Sequence, residues 1–171
     1  FKEETTTLDV KTNGKVLNTK TVNDRNVILY DSLNRTNGYT QVMTDVLGND
    51  STVVWAGVLD GRGLAKSFSE ETTDAQGNLT VKSQHDVTYD AEGRSDKFSQ
   101  TVTDPLGVVT KTYRHVTDYS PLGFQDGLDE TVDSTDKAGV RTISTVHQGP
   151  SQYDALGHLV QRHDESLTSV Y

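Results

Sequence analysis

The chain of 171 residues is polar and acidic: 32% of its residues are hydrophobic, the mean hydropathy is −0.61 and the formal net charge at pH 7 is −9. A hydrophobic fraction this far below the usual value of about 45–50% excludes a large apolar core. The acidic balance argues against nucleic acid as a partner, because phosphates require clustered Lys and Arg. The absence of cysteine excludes disulfides and thiolate metal sites.

No apolar run approaches the roughly 20 residues that span a bilayer, so we predict no membrane insertion. The chain begins with Phe1, and its opening phrase FKEETTTLD is similar to FSEETTD from Phe68. We therefore interpret residues 1–171 as a single repeat array, built from two-strand repeats of 29 to 34 residues, that is a fragment of a longer protein.

Two series of short motifs alternate along the chain. The first reads YDSLN, LDGRG, YDAEG, YSPLG and YDALG, and it starts at Tyr30, Leu59, Tyr89, Tyr119 and Tyr153. The second reads TDVLG, TDAQG, TDPLG and TDKAG, and it starts at Thr44, Thr73, Thr103 and Thr135.

The pattern Asp-x-x-Gly predicts a tight turn. The Asp carboxylate accepts hydrogen bonds from following backbone amides, the middle pair adopts the type I conformation, and Gly supplies a positive φ without a steric clash. Asn is the next most tolerant residue at the fourth position. The predicted turn residues are Asp31, Asn34, Asp45, Gly48, Asp60, Gly63, Asp74, Gly77, Asp90, Gly93, Asp104, Gly107, Gly123, Asp136, Gly139, Asp154 and Gly157.

Between these turns lie segments of roughly 10 to 14 residues rich in Thr and Val, which favour strands. Strands joined by tight turns pair as antiparallel neighbours. The sequence thus predicts an all-β fold, a repetitive antiparallel meander of some eight to ten strands in an extended or curled sheet, with a parallel β-solenoid as the alternative. In residues 79–89, strict alternation places His85, Val87 and Tyr89 on one face and Asp86 and Thr88 on the other.

The phrases YDALGHLV, YDAEGR and YDSLNR resemble the YD repeats of RHS-like bacterial proteins and of teneurins. The resemblance implies an extracellular or cell-surface antiparallel β-sheet that spirals into a shell or an extended wall. The chain departs from that pattern at Ser95, where the repeats carry Leu after Gly-Arg.

The phrase TDPLG is also similar to the self-cleavage element that ends the RHS core. Here, however, residues 104–107 are in phase with the other Thr-Asp motifs, Pro105 occupies a turn position that favours proline, and the upstream Asn-Pro segment of that element is missing. We predict a turn at this position.

No run of closely spaced acids matches a calcium loop, so we predict no cofactor, with calcium between neighbouring turns as the alternative. His85, His115, His147, His158 and His163 are interpreted as surface residues. No nucleophile elbow or nucleotide loop is present, and we predict that the protein is not an enzyme.

Aromatic residues are predicted to form apolar ribs across the sheet, with a carbohydrate-binding strip as the alternative; they are Tyr39, Trp55, Phe68, Phe98, Tyr113 and Phe124. Three sequons at turns are acceptors for N-glycosylation in a cell with that machinery: Asn34, Asn49 and Asn78.

These patterns favour a structural or adhesive segment of a bacterial surface or secreted protein that self-associates into a fibre. A segment of a toxin-enclosing shell is the alternative. Copies of the same repeat are the predicted partner, with a carbohydrate or another cell-surface ligand as a further candidate.

Overall fold

A computed structural model describes residues 2–12, 15–45, 47–120, 125–149, 151–154 and 158–171. For residues 2–12, 15–21 and 153 it describes the backbone only. The described residues form strands and turns. The strands are β1 Lys2–Thr12, β2 Lys15–Tyr30, β3 Thr36–Thr44, β4 Asp50–Leu59, β5 Ala65–Thr73, β6 Leu79–Tyr89, β7 Ser95–Thr103, β8 Val109–Tyr119, β9 Gln125–Thr135, β10 Arg141–Gln148, β11 Gln152–Tyr153, β12 Leu159–Gln161 and β13 Asp164–Val170.

The strands follow one another in a single antiparallel meander. Among the described residues, eleven strands form one open sheet in the order β1 to β10 and then β13, so that β1 and β13 are its edge strands. The predicted antiparallel meander is confirmed, and the parallel solenoid is excluded because every described pair in this sheet is antiparallel.

Among the described residues the main sheet has eleven strands, against the eight to ten predicted. Residues before Tyr30 form two paired strands, β1 and β2. In addition, the last hairpin is interrupted: β11 and β12 form a separate two-stranded sheet at its tip, and β10 and β13 form its base.

Because the strands alternate in direction, the two motif series lie at opposite edges of the sheet. These edges run along the ends of the strands and are distinct from the edge strands β1 and β13. We call one the Tyr-Asp edge; its corners lie at residues 31–35, 60–64, 90–94 and 154–158. We call the other the Thr-Asp edge; its corners lie at residues 45–49, 74–78, 104–108 and 136–140. The described part of the chain contains no helix long and apolar enough to cross a bilayer.

The strict alternation predicted for residues 79–89 was wrong beyond His85. His85 pairs with Ser99 and Thr88 pairs with Lys97, so two residues of β6 lie opposite Phe98 alone. This β-bulge places Asp86 at φ 55° and brings His85 and Thr88 to the same face. Val87 moves to the other face and becomes 4% exposed.

A comparable bulge interrupts β2, where Val27 has φ 47° and the register with β3 shifts between Asn26 and Leu29. Bulges increase the local right-handed twist. Both of these bulges lie near the Tyr-Asp edge.

The sheet is one layer thick. Val87, Val116 and Leu128 are the buried apolar side chains among the described residues. The accessible surface is 11292 Å², whereas a compact protein of this mass exposes roughly 8,300 Å² by the usual scaling. Backbone ladders and contacts along each face, and not a central core, must therefore provide most of the stability.

Gly57 makes room for the largest side chain of the sheet. A Cβ atom at Gly57 would lie 2.6 Å from Cη2 of Trp55 and 3.2 Å from the carbonyl oxygen of Ser67. The indole ring of Trp55 therefore lies along β4 over Gly57, where another residue would displace it.

We predict that Gly57→Ala destabilises the protein by about 1–3 kcal/mol, because the indole ring must leave its place on the sheet. Urea denaturation followed by Trp55 fluorescence measures the change. Gly61→Ala is the matched control, since a Cβ atom there meets nothing within 4 Å. Equal effects of the two substitutions would contradict the packing described for Trp55.

Candidate functional site

The corners share one backbone geometry. In seven corners the Asp amide donates to the carbonyl four residues later at 2.8–3.0 Å, and the fourth residue donates to the Asp carbonyl at 2.9–3.2 Å. These corners begin at Asp31, Asp45, Asp60, Asp74, Asp90, Asp104 and Asp136. The pair of bonds closes a tight hairpin whose extra residue forms a bulge.

The fourth residue of these corners occupies the left-handed region. The φ angle is 60° at Asn34 and lies between 82° and 89° at the glycines, which are Gly48, Gly63, Gly77, Gly93, Gly107 and Gly139. An L side chain is strained at this angle, which explains the choice of Gly and once of Asn. The predicted turn residues Gly123 and Gly157 lie outside the described residues.

The carboxylate of the corner Asp accepts hydrogen bonds from the backbone amides of its own corner. At the corner that starts with Asp45, Oδ1 accepts hydrogen bonds from the amides of Leu47 at 2.7 Å and Asn49 at 2.9 Å. The amide nitrogen of the Asn49 side chain donates to Oδ2 at 2.9 Å. Asp74 makes the same set of bonds, and Asp154 accepts from the His158 amide at 2.9 Å.

These hydrogen bonds favour the ionised carboxylate. The side-chain amides of Asn49 and Asn78, followed by the backbone amides, hold the pKa of Asp45 and Asp74 below the usual value. Arg35 has the corresponding effect on the pKa of Asp31.

Two further corner carboxyls are shifted in the same direction. The backbone amide of Leu64 is the largest cause of the lowered pKa of Asp60. At Asp90, desolvation acts to raise the pKa, but the hydrogen bonds from Arg94 and its charge outweigh that effect and the pKa is lowered.

Successive corners contact each other along the Tyr-Asp edge through arginine. Nη1 of Arg35 donates to the Asp60 carbonyl of the next corner at 2.7 Å, while its guanidinium also pairs with Asp31 at 2.7 Å. Arg62 repeats this contact one corner later, donating to the Asp90 carbonyl at 2.8 Å.

Along the same edge, a tyrosine before each of two corners contacts the preceding corner in the chain. The hydroxyl of Tyr89 donates to the Ala65 carbonyl at 2.7 Å, and that of Tyr119 donates to the Ser95 carbonyl at 2.7 Å. The Arg94 guanidinium lies 4.0 Å from the ring centroid of Tyr119. Burial, followed by a nearby carboxylate, raises the pKa of both tyrosines. The Tyr before Asp therefore joins its corner to the preceding one, and an arginine of the corner reaches the next one: Arg35 and Arg94 from the fifth position and Arg62 from the third.

The Thr-Asp edge lacks such links in the part of the chain that the structure describes. There, Asn49 and Asn78 donate back to the Asp of their own corner. The three sequon residues Asn34, Asn49 and Asn78 all lie at exposed corner positions.

One face of the sheet, which we call the aromatic face, carries a row of rings and cations. The row crosses β2 to β6 in the order Arg25, Tyr39, Trp55, Phe68 and Lys82. The ring centroids of Tyr39 and Trp55 are stacked 5.6 Å apart, and those of Trp55 and Phe68 lie 6.2 Å apart. A cation lies over each end of the row: Arg25 is 4.0 Å from the Tyr39 centroid and Lys82 is 5.2 Å from the Phe68 centroid. It resumes on β7 to β9, where Arg114 lies 5.7 Å from the Phe98 ring and pairs with Glu130 at 2.6 Å. Such contacts are worth about 0.5–1.5 kcal/mol each.

The predicted ribs are therefore present for four rings, but the placement of Tyr113 among them was wrong. Tyr113 pairs with Ser99, the neighbour of Phe98, and so lies on the opposite face. Phe124 lies outside the described residues.

The opposite face, which we call the histidine face, carries an open row of titratable groups. By register, Lys97, His115, Asp129, His147 and Glu165 lie side by side across β7 to β10 and β13. Shallow clefts of about 690 Å³ beside His85 and about 430 Å³ beside His147 flank Tyr113 on this face.

His147 and Asp129 form the closest pair in this row. Nδ1 of His147 lies 2.5 Å from Oδ1 of Asp129, and this hydrogen bond raises the pKa of His147. A raised folded-state pKa stabilises the protein below the unfolded-state value, and the contribution is lost as the pH rises through the folded-state pKa. His85, His158 and His163 also pair with carboxylates, at exposed positions.

Among the described residues, no three His, Asp or Glu side chains are grouped to hold a metal ion.

Asp126 was not identified from sequence: it is buried, and its Oδ1 accepts from the Ser151 amide at 2.7 Å. Ser120 replaces Asp at its corner and is 5% exposed. The irregular phrase YSPLG is the signal in the sequence that this part of the array departs from the repeat.

No protein-family model matches the chain, and comparisons with characterised proteins and with solved structures find no match either. The resemblance to YD repeats therefore remains a prediction from the motifs.

We predict that Gly77→Ala destabilises the hairpin of β5 and β6 by about 1–2 kcal/mol, because Ala is strained at a positive φ. Nothing lies within 4 Å of a Cβ atom at this position, so the cost is purely conformational. Gly77→Asn should cost less, and Asn34→Gly should stabilise the protein. Urea denaturation of the three variants tests this order, and equal stability of Gly77→Ala and wild type would contradict the left-handed corner.

We predict that the corners at Asp45 and Asp74 weaken in acid. The folded-state pKa values of these two carboxyls lie below the unfolded-state value of 3.8, so their contribution to stability is complete above that value and is lost as the pH falls through the folded-state pKa. The double variant Asp45→Asn/Asp74→Asn keeps one side-chain oxygen that can accept from the backbone amides, replaces the other with an NH2 donor and removes two titrations, so its thermal midpoint should fall less between pH 5 and pH 2 than that of wild type. Glu71→Gln, outside the corners, is the matched control and should follow wild type.

Proposed function

We propose that the chain is a structural or adhesive repeat segment of a bacterial cell-surface or secreted protein, of the YD-repeat kind, that assembles into an extracellular fibre. The observation that carries the proposal is the open, single-layer sheet in which the same corner recurs along both edges. Such a chain gains length with each repeat, and each repeat is stabilised by its nearest neighbours.

The two edge strands support self-association as the principal interaction. Strands β1 and β13 each present one edge that pairs with no other strand among the described residues. An unpaired strand edge is a template for another strand. A contact between unlike ends of identical copies propagates into an open filament unless the rotation closes a ring.

The aromatic face makes a carbohydrate partner the weaker candidate. Tyr39, Trp55 and Phe68 pack against one another and against Arg25 and Lys82, and all three rings are half-buried. A sugar-binding strip requires ring faces open to the solvent. We therefore propose copies of the same chain, and not a carbohydrate, as the principal partner.

A segment of a toxin-enclosing shell is the second candidate, and the difference between the two edges favours it. Corners contact each other along the Tyr-Asp edge through Arg35, Arg62, Tyr89 and Tyr119. Corners on the Thr-Asp edge are not linked in the described residues. A sheet whose corners are held close together at one edge, and not at the other, coils. A coiled sheet can enclose a cargo.

We predict that the purified chain assembles as its concentration rises, with a weight-average mass by light scattering above that of the monomer and filaments in negative-stain images. Closed hollow particles from the native protein would support the shell, and a constant monomer mass would contradict the fibre.

A matched pair of variants tests whether edge strand β13 takes part in assembly. Leu167→Lys places a charge on β13, where Leu167 is 68% exposed, and should reduce assembly. Leu106→Lys places the same charge at a Thr-Asp corner of similar exposure and should leave assembly unchanged.

A further inference from the structure

The two faces of the sheet differ in how far their apolar side chains are covered. Strands β3 to β10 and β13, which the structure describes in full, carry six large apolar or aromatic side chains that are exposed. By register, Val170 lies on the aromatic face, and the other five lie on the histidine face: Val54, Val58, Leu79, Tyr113 and Leu167. In these strands the histidine face therefore retains most of the uncovered apolar surface.

The single layer exposes an unusually large area to water. The chain exposes roughly 3,000 Å² more than a compact protein of its mass. A sheet ordinarily buries one face against a second layer, which lies about 10 Å away. A stable protein interface buries about 1,200–2,000 Å² in total. A second layer over part of the histidine face, supplied by another molecule, would remove an area of that size.

The histidine face is complementary in charge to itself about the seam between β9 and β10. Across the strands, one row reads His115 on β8, Asp129 on β9, His147 on β10 and Glu165 on β13. A two-fold axis that lies in the sheet along this seam exchanges β9 with β10 and β8 with β13. It places Asp129 of each copy opposite His147 of the other, and His115 opposite Glu165. Each of these contacts joins a carboxylate to an imidazole.

The next row along the strands is complementary in polarity about the same seam. It reads Tyr113, Thr131, Thr145 and Leu167. The axis places Tyr113, which is 43% exposed, against Leu167 of the second copy, which is 68% exposed, and Thr131 against Thr145. The cleft of about 430 Å³ on this face is lined by all four side chains, so it lies across the seam and has room for the apolar side chains of a partner.

We propose that the histidine face binds the histidine face of a second copy of this chain, so that two single layers form a two-layer sandwich about the β9–β10 seam. The contact is isologous, and each pair of residues occurs twice. Aligned packing of two sheets is a common arrangement. In the row beyond Tyr113, Asp133 keeps its charge paired with Arg141 at 2.7 Å. The inference goes beyond the proposed fibre, because it uses a face of the sheet and not the pairing of edge strands.

Tyr113 separates the two kinds of contact. It lies on the interior strand β8, whereas Leu167 on β13 belongs to both. Tyr113→Lys should raise the dissociation constant of the dimer at least tenfold, measured by analytical ultracentrifugation against a dimer mass of twice 18.8 kDa. Leu106→Lys, which adds the same charge at a Thr-Asp corner, should leave the constant unchanged. Circular dichroism of each variant reports whether the sheet is retained.

The absence of native cysteine allows an independent test by cross-linking. Thr131→Cys protein is mixed with Thr145→Cys protein and treated with a short bis-maleimide, and mass spectrometry counts the peptides that join the two positions. Ser144→Cys in place of Thr145→Cys is the matched control, because Ser144 is the neighbour of Thr145 and lies on the aromatic face. Cross-links from position 131 to position 145 should be at least tenfold more abundant than those to position 144.

Selective cross-linking together with a weakened Tyr113→Lys dimer supports the two-layer sandwich, whether or not filaments form. Filaments that tolerate Tyr113→Lys and cross-link without selectivity would overturn the face-to-face contact and leave the proposed fibre intact. A protein that is monomeric at every concentration, with no cross-link between positions 131 and 145, would overturn both.

Discussion

The hydrogen bonds between an Asp carboxylate and the backbone of its own corner are the interaction on which the sheet depends. Each corner reverses the chain in four residues, and its Asp Oδ1 atom accepts from one or two backbone amides of the corner; Asp74 accepts from Gln76 at 2.9 Å and Asn78 at 2.8 Å. The left-handed fourth residue then returns the chain in register. With register fixed at every corner, eleven strands pair in chain order without a core to select their neighbours.

The consequences for stability follow from that arrangement. A sheet with three buried apolar side chains among its described residues relies on nearest-neighbour contacts. These are the backbone ladder, the row of rings and cations on the aromatic face, and the links between Tyr-Asp corners. Loss of one contact is expected to loosen the adjoining hairpins more than distant ones, as in other repeat proteins.

The sequence predicted the local structure better than the arrangement of the faces. Asp-x-x-Gly indicates a corner because both residue types act within five residues of the chain. The bulge at Asp86 could not be predicted, since no residue there has a preference for positive φ strong enough to signal it, and this bulge reversed the predicted faces of Val87 and Thr88. Tyr113 was misplaced because its face depends on register with β7 and not on its own motif.

The contacts between corners were also missed, although their residues stand in the motif. Tyr before Asp and Arg after Gly were recognised as a resemblance to YD repeats, but a single sequence does not show that the Tyr89 hydroxyl reaches Ala65, 24 residues earlier. The difference between the two edges becomes visible only when the corners are placed side by side.

Residue-resolved amide hydrogen exchange by NMR tests the corner geometry most directly. The account predicts slow exchange for the first and fourth amides of every corner, for example Asp74 and Gly77, whose amides donate to Asn78 and Asp74 carbonyls at 3.0 and 2.9 Å. The second amide, for example that of Ala75, should exchange rapidly. Unprotected amides at Gly77 and at the other glycines of the corners would contradict it.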